Sequence, residues 1–560
     1  MIPKGPKAKD TSVDLLVIGS GTGMATALSA KERGLSTLVV EHSERVGGST
    51  ARSGGAFWVP GNPILQREGS TDTKEEGHKY LENLLHDDVP RERWEAFIEH
   101  GPDAIAMLER NVSNKYFWAK GYSDYHPEVP GGTAMGRTCE SDAWDKNQLG
   151  DEKDRLEPSP MAAPVPMPVT GADYKWMNLM KKTPLKSFPR IMKRAIQGTG
   201  GLVFGKNYIA SGEALAGGMF HGLIMNGIEA WTRTDLVDLI IENDKVVGAI
   251  LEQDGNQVTV RANKGVVLAM GGFEHDEEAR QKHEGPEVTD ESFGTKGNVG
   301  DNLRIAKKIG AGTRFLEEAW WFPSVERLPG MDMPQIMLAE RNLPGSFIVD
   351  ETGERFINEA MSYMAFGQTV LGLRRDGRKV EQMWIVMDQE YRNNYVFAGS
   401  VFPMMPFPKA WYDAGIVVDA KNPQELAQKM GVPVDAFVNE ILHFNQMAST
   451  GIDADYGRGN SAYDRYYGDP TNQPNPCLRP LHGKLYAVKM VLGDLGTCGG
   501  FACDEKGRVL REDGSVIEGL YAQGNAAGNV FGHHYPGAGA TISQGIVFGH
   551  IIAGDAASKK

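Results

Sequence analysis

The sequence predicts an α/β protein in which a Rossmann-like nucleotide-binding domain is assembled from discontinuous segments and a second, α+β domain is inserted between them. A short apolar run, Val13–Ile18, leads directly into a glycine-rich turn, a helical stretch and another apolar run. Two more strand-like runs that end in glycine, 265–272 and 519–525, come much later in the chain. Strands that alternate with helices favour a parallel sheet.

Length and charge narrow the class of protein. The chain has 560 residues, enough for two to four domains, and its net charge of −14 argues against a nucleic-acid partner, because phosphate binding needs a basic surface. The four cysteines are scattered, and their spacing indicates neither a disulfide framework nor a zinc site. We therefore expect no metal.

The first residues are polar and lack the apolar core of a signal peptide. No run of 18 apolar residues occurs, so no membrane span is predicted. A cytoplasmic location is the expectation.

The first nucleotide-binding element follows the order strand, glycine turn, helix, strand and acid. Residues 19–23 form the turn, Ala25–Arg33 is the predicted helix, and the strand Thr37–Val40 ends at Glu41, 22 residues after Gly19. This is the context in which a dinucleotide pyrophosphate binds at a helix N-terminus and an acid binds ribose hydroxyls. Met24 stands where a third glycine is usual. The candidate cofactor residues here are Gly19, Gly21, Thr22, Gly23, Glu41 and His42.

The segments that follow favour FAD over NAD. Residues 47–55 are small and glycine-rich and are typical of a second phosphate- and flavin-contacting loop in FAD enzymes. The strands ending at Gly271 and Gly524 return to the same domain after a β-meander within 245–261. The candidate FAD residues in these segments are Gly48, Ser49, Thr50, Ser53, Gly54, Gly55, Gly271, Gly524 and Asn525.

The middle of the chain, 319–490, is rich in aromatic residues and methionine. Such residues fill ordinary cores, but they also suit a pocket for a flat, apolar ligand. Tyr363 is a candidate acid or base in this region. The predicted division is therefore an FAD-binding domain of residues 1–318 and 491–560 and a catalytic, substrate-capping domain of residues 319–490.

A basic segment stands out in this acidic protein. Residues 174–212 carry eight lysines and arginines and no acid, interleaved with large apolar residues, within a stretch, 151–215, that looks inserted. Two interpretations stay open: an amphipathic segment that contacts anionic membrane, or a solvated basic face beside a core helix.

Tyr535–Gly539 is the most informative motif. It places a phenol and a glycine amide four residues apart, where a glycine-rich loop turns into the last helix. Unpaired N–H groups and partial positive charge at a helix N-terminus, together with a tyrosine hydroxyl, can bind an oxygen that becomes negative during a reaction. The residues that begin this helix are candidate cofactor contacts: Ala540, Thr541 and Ile542.

Taken together, these motifs resemble those of the flavin-dependent 3-ketosteroid Δ1-dehydrogenases, within the larger group related to the flavoprotein subunit of fumarate reductases. The resemblance covers most of the chain, and Tyr535–Gly539 separates it from the fumarate reductases. The motifs that carry it are Gly19–Gly21, Gly47–Gly55, Tyr122–Pro127, Asn358–Tyr363, Gly496–Gly500, Gly519–Asn525 and Tyr535–Gly539.

The resemblance implies FAD as cofactor, a steroid as substrate and an electron acceptor that it does not identify. It implies that Tyr535 and Gly539 hold the C3 carbonyl oxygen, that Tyr363 removes the C2 proton and that hydride leaves C1 for the flavin. Family members often have a supporting tyrosine just before the proline of the first tyrosine motif, where this chain has His126. Tyr125 or His126 could fill the supporting role, with Tyr122 nearby.

Other activities remain open at this stage. A Δ4-(5α)-dehydrogenase or a fumarate-reductase-like enoate reductase would use the same scaffold. A non-catalytic FAD protein is a third alternative, and it would leave Tyr535–Gly539 without a role.

Overall fold

The computed structural model describes residues 2–87, 89–162, 165–331 and 333–559. The α/β fold class predicted from the sequence is confirmed, with a mainly parallel nucleotide-binding sheet and a separate antiparallel sheet.

The strands, in chain order, are β1 Thr11–Ile18, β2 Thr37–Val40, β3 Ala56–Trp58, β4 Tyr116–Trp118, β5 Thr138–Ser141, β6 Trp144–Asp145, β7 Tyr208–Ile209, β8 Glu229–Trp231, β9 Thr234–Glu242, β10 Lys245–Gln253, β11 Asn256–Leu268, β12 Thr313–Arg314, β13 Ala319–Val325, β14 Gln335–Ile336, β15 Ser346–Val349, β16 Met383–Asp388, β17 Val417–Ala420, β18 Leu485–Thr497, β19 Gly500–Phe501, β20 Arg508–Leu510 and β21 Val516–Ala522.

The α-helices are α1 Gly23–Glu32, α2 Gly48–Arg52, α3 Pro63–Arg67, α4 Lys74–Leu84, α5 Arg91–Asn111, α6 Gly171–Asn178, α7 Pro184–Ala195, α8 Gly201–Val203, α9 Ser211–Met225, α10 Glu277–His283, α11 Asp301–Ile309, α12 Tyr363–Arg375, α13 Gln389–Asn394, α14 Lys409–Asp413, α15 Pro423–Met430, α16 Val434–Thr450, α17 Ala462–Tyr466 and α18 Ala540–Ser558.

The nucleotide-binding sheet has the order β20-β21-β10-β11-β1-β2-β8, and β9 pairs with β10. β1 is parallel to β2 and β11, and β21 is parallel to β11. The carboxyl ends of β1, β11 and β21 therefore lie side by side, although residues 18 and 522 are far apart in sequence. Ligands of open parallel sheets bind at this edge. β9, β10 and the first half of β11 form the predicted antiparallel meander.

The second sheet is antiparallel, with the order β14-β13-β18-β16-β15 and with β17 paired to β18. β13 is buried along its whole length. β18 runs from Leu485 to Thr497 and is paired with β13 as far as Thr497, so this strand crosses the predicted boundary at residue 490.

The basic segment folds into α6 and α7, a π-helical turn at Ile196–Gly200, and α8. Large apolar side chains on its outer side face solvent, and the exposed fraction is 92% for Leu185 and 83% for Phe204. Apolar residues at spacings of three and four lie on one face of a helix. Within the described residues, no helix is both long and apolar enough to span a bilayer.

Candidate active site

The glycines of the first turn are required by close main-chain packing. Gly19 has φ +106°, and a Cβ atom there would lie 2.2 Å from the carbonyl oxygen of Ala269. A Cβ at Gly23 would lie 2.9 Å from Val17 Cγ1, so Gly23 provides the close contact between helix and strand that is usual for a third glycine. Met24 is the second residue of α1, and its side chain is fully buried in the core.

Glu41 is held at the end of β2 by main-chain and side-chain donors. Its Oε2 atom accepts hydrogen bonds from the Ser20 N–H (3.0 Å) and hydroxyl, and Oε1 accepts from the Ser43 N–H (2.8 Å). The Ser20 hydroxyl oxygen also accepts from the Gly47 N–H at 2.9 Å. Ser20 thus joins the first turn, the acid and the second loop, a role that sequence reasoning missed because its partners are 21 and 27 residues away.

The predicted cofactor segments converge on this edge of the sheet. A Cβ at Gly21 would lie 3.1 Å from Thr50 Oγ1, and one at Gly524 would lie 3.2 Å from Thr22 Oγ1. The first glycine turn, the loop 47–55 and the turn after β21 are therefore neighbours. Around them the structure places the remaining predicted positions, at the start of α2, in the turn between α2 and β3, and in the turns that follow β11 and β21: Gly48, Ser49, Ser53, Gly54, Gly55, Gly271 and Asn525.

Hydrogen bonds fix the second loop. The Ser49 hydroxyl oxygen accepts from the Thr295 N–H (3.0 Å) and from the Asn298 amide (3.3 Å). The Gly55 N–H donates to the Ser53 hydroxyl oxygen at 3.0 Å. Gly55 has φ +70°, and a Cβ there would lie 2.2 Å from the main chain of Ser211.

His42 lies beside this edge and forms an ion pair with Asp235. Burial lowers its pKa, but the hydrogen bond and charge of Asp235 outweigh burial, so the pKa of His42 is raised.

Four tyrosines from distant segments meet in one buried cluster. The Tyr125 hydroxyl donates to the Tyr363 hydroxyl oxygen at 2.9 Å, and the Tyr122 and Tyr125 hydroxyls are 3.4 Å apart. The rings of Tyr125 and Tyr535 stack with centroids 5.0 Å apart, and the Tyr363 ring packs edge-on to Tyr535 at 5.2 Å. Phenols from residues 122, 125, 363 and 535 therefore form one polar group inside an apolar wall.

Tyr535 lies at the N-terminus of α18. Gly539 precedes this helix with φ +94°, and a Cβ there would lie 2.4 Å from the Ala56 carbonyl carbon and oxygen. The Tyr535 hydroxyl lies 3.5 Å from Thr541 Oγ1. Burial raises the pKa of Tyr535, while the Thr541 hydroxyl, the Tyr363 hydroxyl and the N–H groups of Gly539 and Thr541 act to lower it. The Tyr535 hydroxyl and the N–H groups at the start of α18 are thus adjacent, the arrangement that the motif predicts. Ala540, Thr541 and Ile542 form the first turn of the helix.

Tyr363 is the first residue of α12 and is packed against Phe322, with ring centroids 4.4 Å apart. Burial and the neighbouring phenol of Tyr535 raise the pKa of Tyr363 well above 10, and the hydrogen bond from Tyr125 acts in the opposite direction. A base at this position therefore depends on donors that stabilise the tyrosinate.

His126 lies behind the cluster. The main-chain N–H of His126 donates to the Tyr80 hydroxyl oxygen at 3.2 Å, and the centroid of its ring lies 6.3 Å from that of the His534 ring. Burial and His534 lower the pKa of His126 to about 4, so it is neutral at physiological pH. Of the two residues left open by the sequence, Tyr125 is the one hydrogen-bonded to Tyr363.

The sequence also missed Trp320. Its Nε1–H donates to Asn525 Oδ1 at 3.2 Å, and its ring packs edge-on against Tyr535 at 4.8 Å. Trp320 and Phe322 are two residues apart on β13, so both side chains point to the same face of the sheet. This spacing was a signal for a shared surface, but it did not indicate which surface.

The glycine turn, the loop 47–55 and the turns after β11 and β21 form what we call the cofactor cradle. This cradle fits a dinucleotide flavin. Glycines at the first turn let a pyrophosphate approach the start of α1, Glu41 lies at the end of β2, and the N-terminus of α18 supplies positive potential beside the tyrosines. These features define the class of the protein as an FAD-dependent oxidoreductase with a buried phenolic cluster at the start of α18.

Comparisons with known proteins place the chain within that class. The profile of the FAD binding domain family matches residues 14–542. The 3-oxosteroid 1-dehydrogenase of Mycolicibacterium smegmatis is 43% identical over 558 residues, which cover 97% of this chain and 97% of that protein. The 4-oxocyclohex-2-ene-1-carboxylate 5-dehydrogenase of Sinomonas cyclohexanicum is 32% identical, with 98% and 94% covered.

A solved structure agrees with this result. The 3-ketosteroid Δ1-dehydrogenase from Sterolibacterium denitrificans, crystallised with 1,4-androstadiene-3,17-dione, matches with a TM-score of 0.92 at 33% identity, covering 98% of this chain and 100% of that one. The chain belongs to the FAD binding domain family and, within it, to the group that contains the 3-oxosteroid 1-dehydrogenases. The predicted family and the predicted cofactor, FAD, are confirmed.

Gly19→Ala tests the close approach at the first turn. We expect the variant to lose FAD and to be destabilised, because the new Cβ collides with the Ala269 carbonyl. Gly34→Ala is the matched control: Gly34 also has positive φ, +82°, but a Cβ there meets no atom within 4 Å. It should cost about 1–2 kcal/mol and keep FAD. Bound FAD per chain and Tm are measured; equal FAD content in the two variants would contradict the assignment.

Proposed function

We propose that this protein catalyses the FAD-dependent dehydrogenation of a 3-ketosteroid, introducing the C1–C2 double bond. The observation that carries the proposal is the tyrosine cluster at the N-terminus of α18, in a chain that is 43% identical to a 3-oxosteroid 1-dehydrogenase along nearly its whole length.

The C3 carbonyl oxygen of the steroid binds to the Tyr535 hydroxyl and the Gly539 N–H. Negative charge builds on this oxygen as the C2 proton leaves, and donors already in place stabilise it without reorganisation. The N-terminus of α18 adds positive potential at the same point.

Tyr363 removes the C2 proton, and the Tyr125 hydroxyl stabilises the tyrosinate through their 2.9 Å hydrogen bond. Tyr122 extends this support by its contact with Tyr125. Bound FAD supplies the hydride acceptor for C1, and the residues that hold it are the glycines of the first turn, Glu41 and the start of α18. An external electron acceptor must then reoxidise the cofactor.

We propose that residues 1–318 and 491–560 form the cofactor-binding domain and that residues 319–490 form the domain that caps the substrate. Support comes from the two sheets: strands β1, β2, β11 and β21 lie in one, and β13–β17 lie in the other together with β18, which crosses the proposed boundary at residue 490. Tyr363 lies in the capping part, whereas Tyr125 and Tyr535 lie in the cofactor-binding part, so catalysis needs both.

The reaction is tested by adding androst-4-ene-3,17-dione to the holoenzyme without oxygen. We expect the visible flavin absorbance to bleach and the 1,4-diene-3-one to form. A saturated 5α-3-ketosteroid and 4-oxocyclohexanecarboxylate are run alongside. Bleaching by the saturated steroid with formation of the 4-ene would instead support a Δ4-(5α)-dehydrogenase, and bleaching by the cyclohexanone carboxylate alone would exclude a steroid substrate.

Phenylalanine substitutions separate the two tyrosine roles. Tyr363→Phe should retain FAD and steroid binding but lose most turnover, because the base is gone. Tyr535→Phe should weaken steroid binding and also lower kcat by about 10²–10³-fold, the usual effect of removing one donor to a developing oxyanion. Tyr456→Phe, at a partly exposed site, is the control. Unchanged turnover in Tyr363→Phe would remove it from the base role.

We also propose that the outer side of the basic segment contacts an anionic membrane. Leu185, Phe188, Met192 and Ile196 are exposed at helical spacing, and Lys186 and Arg190 flank the ring of Trp176 beside them. Not all of the basic residues contribute. Arg194, for example, is buried and bonded to Asp142 and Asp173.

Co-sedimentation with liposomes tests this contact. Wild-type protein should bind vesicles containing an anionic lipid at low salt, and binding should weaken as salt screens the charges. Phe188→Glu should abolish binding while leaving turnover of dissolved steroid unchanged. Leu442→Glu is the matched control, since Leu442 is as exposed as Phe188 but lies on α16. Equal binding by both variants would reject the proposed surface.

A further inference from the structure

Arg341 is a fully buried arginine next to the catalytic segment of the capping part. In the described chain, its hydrogen bonds go to main-chain carbonyl oxygens: Nε donates to Met337 (3.2 Å), and Nη1 donates to Glu359 (2.5 Å) and Met361 (2.7 Å). Its Nη2 atom is buried without a hydrogen-bond partner among the described residues. A buried guanidinium that is not paired with a carboxylate is costly, so its position calls for an explanation.

Two of the carbonyls that Arg341 binds, those of Glu359 and Met361, belong to the segment just before Tyr363. Met361 is followed by Ser362, and Tyr363 begins α12. Asn342, the next residue along, also binds this segment, with its amide donating to the Ala360 carbonyl oxygen at 3.2 Å. The guanidinium therefore fixes the turn from which the proposed base projects.

The free side of Arg341 faces the tyrosine cluster through Tyr463. Burial raises the pKa of Tyr463 on balance, and the charge of Arg341 is the largest influence that lowers it. The Tyr463 hydroxyl, like Arg341 Nη2, is buried and has no hydrogen-bond partner in the described part of the chain. The Tyr463 ring packs against Tyr125 with centroids 4.7 Å apart, and Tyr125 donates to Tyr363.

The other charged groups nearby are already engaged. Glu359 is paired with Arg355 at 2.8 Å and Arg458 at 3.3 Å, and Asp453 with Arg355 at 2.8 Å. Glu340 accepts from the Tyr174 hydroxyl and the Ala398 N–H, and Asp464 from the Asn358 amide and the Gly459 N–H. Burial raises the pKa of Asp464, and the charges of Arg458 and Arg341 act to lower it, so Asp464 shares the field of Arg341 with Tyr463. On the cluster's other side, Tyr363 faces the phenols of Tyr122, Tyr125 and Tyr535, and His126 behind them is neutral.

We propose that Arg341 is a positioning residue for the dehydrogenation. It holds the turn before Tyr363 through the carbonyls of Glu359 and Met361, and its positive charge, which acts on Tyr463 beside Tyr125, stabilises the tyrosinate form of Tyr363. This inference rests on the proposed function, since it assigns a charge partner to the proposed base.

The pH dependence of kcat/KM tests the electrostatic part. A base works when deprotonated, so kcat/KM rises with pH on its acid limb. Removal of a nearby positive charge raises the pKa of Tyr363. The acid limb of the pH profile of kcat/KM should therefore move to higher pH by about one unit in Arg341→Gln. Arg341→Lys keeps the charge but loses the planar fork, so its limb should stay in place while kcat falls.

Arg392→Gln is the matched control. Arg392 is also buried and bonded to main-chain carbonyls, those of Tyr395 and Met405, but its guanidinium packs over Phe397 and Phe407 and not against the cluster of Tyr122, Tyr125, Tyr363 and Tyr535. Its acid limb should coincide with that of the wild type. FAD content and Tm are measured for every variant, because loss of packing would change these quantities without moving the limb.

The outcomes separate the two proposals. If the wild-type holoenzyme is not reduced by the steroid, the proposed function fails. If it is reduced and Arg341→Gln keeps the wild-type limb, the inference on Arg341 is wrong. Should Arg341→Gln not fold, Arg341→Lys decides: a lowered kcat with the acid limb in place supports the inference, and an unchanged kcat overturns it.

Discussion

The start of α18 is the constraint on which both halves of the site depend. Gly539 adopts a left-handed conformation and lies so close to the Ala56 main chain that a Cβ has no room. The helix then packs against α1, where a Cβ at Gly545 would lie 2.2 Å from Thr22 Oγ1. The last helix is thereby fixed against the first nucleotide-binding turn, and its N-terminal N–H groups are directed at the tyrosine cluster. A shift of this helix would move the cofactor cradle and the tyrosine cluster together.

In the function that we propose, the tyrosine cluster carries acid–base chemistry without carboxylates. Burial raises the pKa of each phenol, which by itself makes a poor base. The proposal therefore assigns stabilisation of the charged form to the hydrogen bonds between phenols, the helix N-terminus and the buried guanidinium of Arg341. An aromatic wall of Trp320 and Phe322 excludes water from the same place and suits a flat, apolar substrate.

The basic segment adds a separate property to an acidic protein. Its outer face carries several exposed apolar residues at helical spacing, and the segment 174–212 carries eight lysines and arginines and no acid while the whole chain carries −14. A substrate of low water solubility partitions into membranes, so a surface that contacts the bilayer would shorten its path to the enzyme.

The sequence by itself determined the elements whose signals are local. The strand, turn, helix and acid of the first segment follow from contiguous residues, and β2 spans the predicted Thr37–Val40. The motif at Tyr535–Gly539 was readable because phenol and amide are four residues apart at a helix start. Only the tertiary structure decided which residues meet: Tyr125 rather than His126 contacts Tyr363 across 238 residues of sequence. Trp320 joins the site across 205 residues, and even the contacts of Ser20 and Arg341, across 21 and 18 residues, leave no periodic signal in the sequence. The period of a strand or helix fixes the face on which a side chain lies, whereas the partner on that face is set by how distant segments pack.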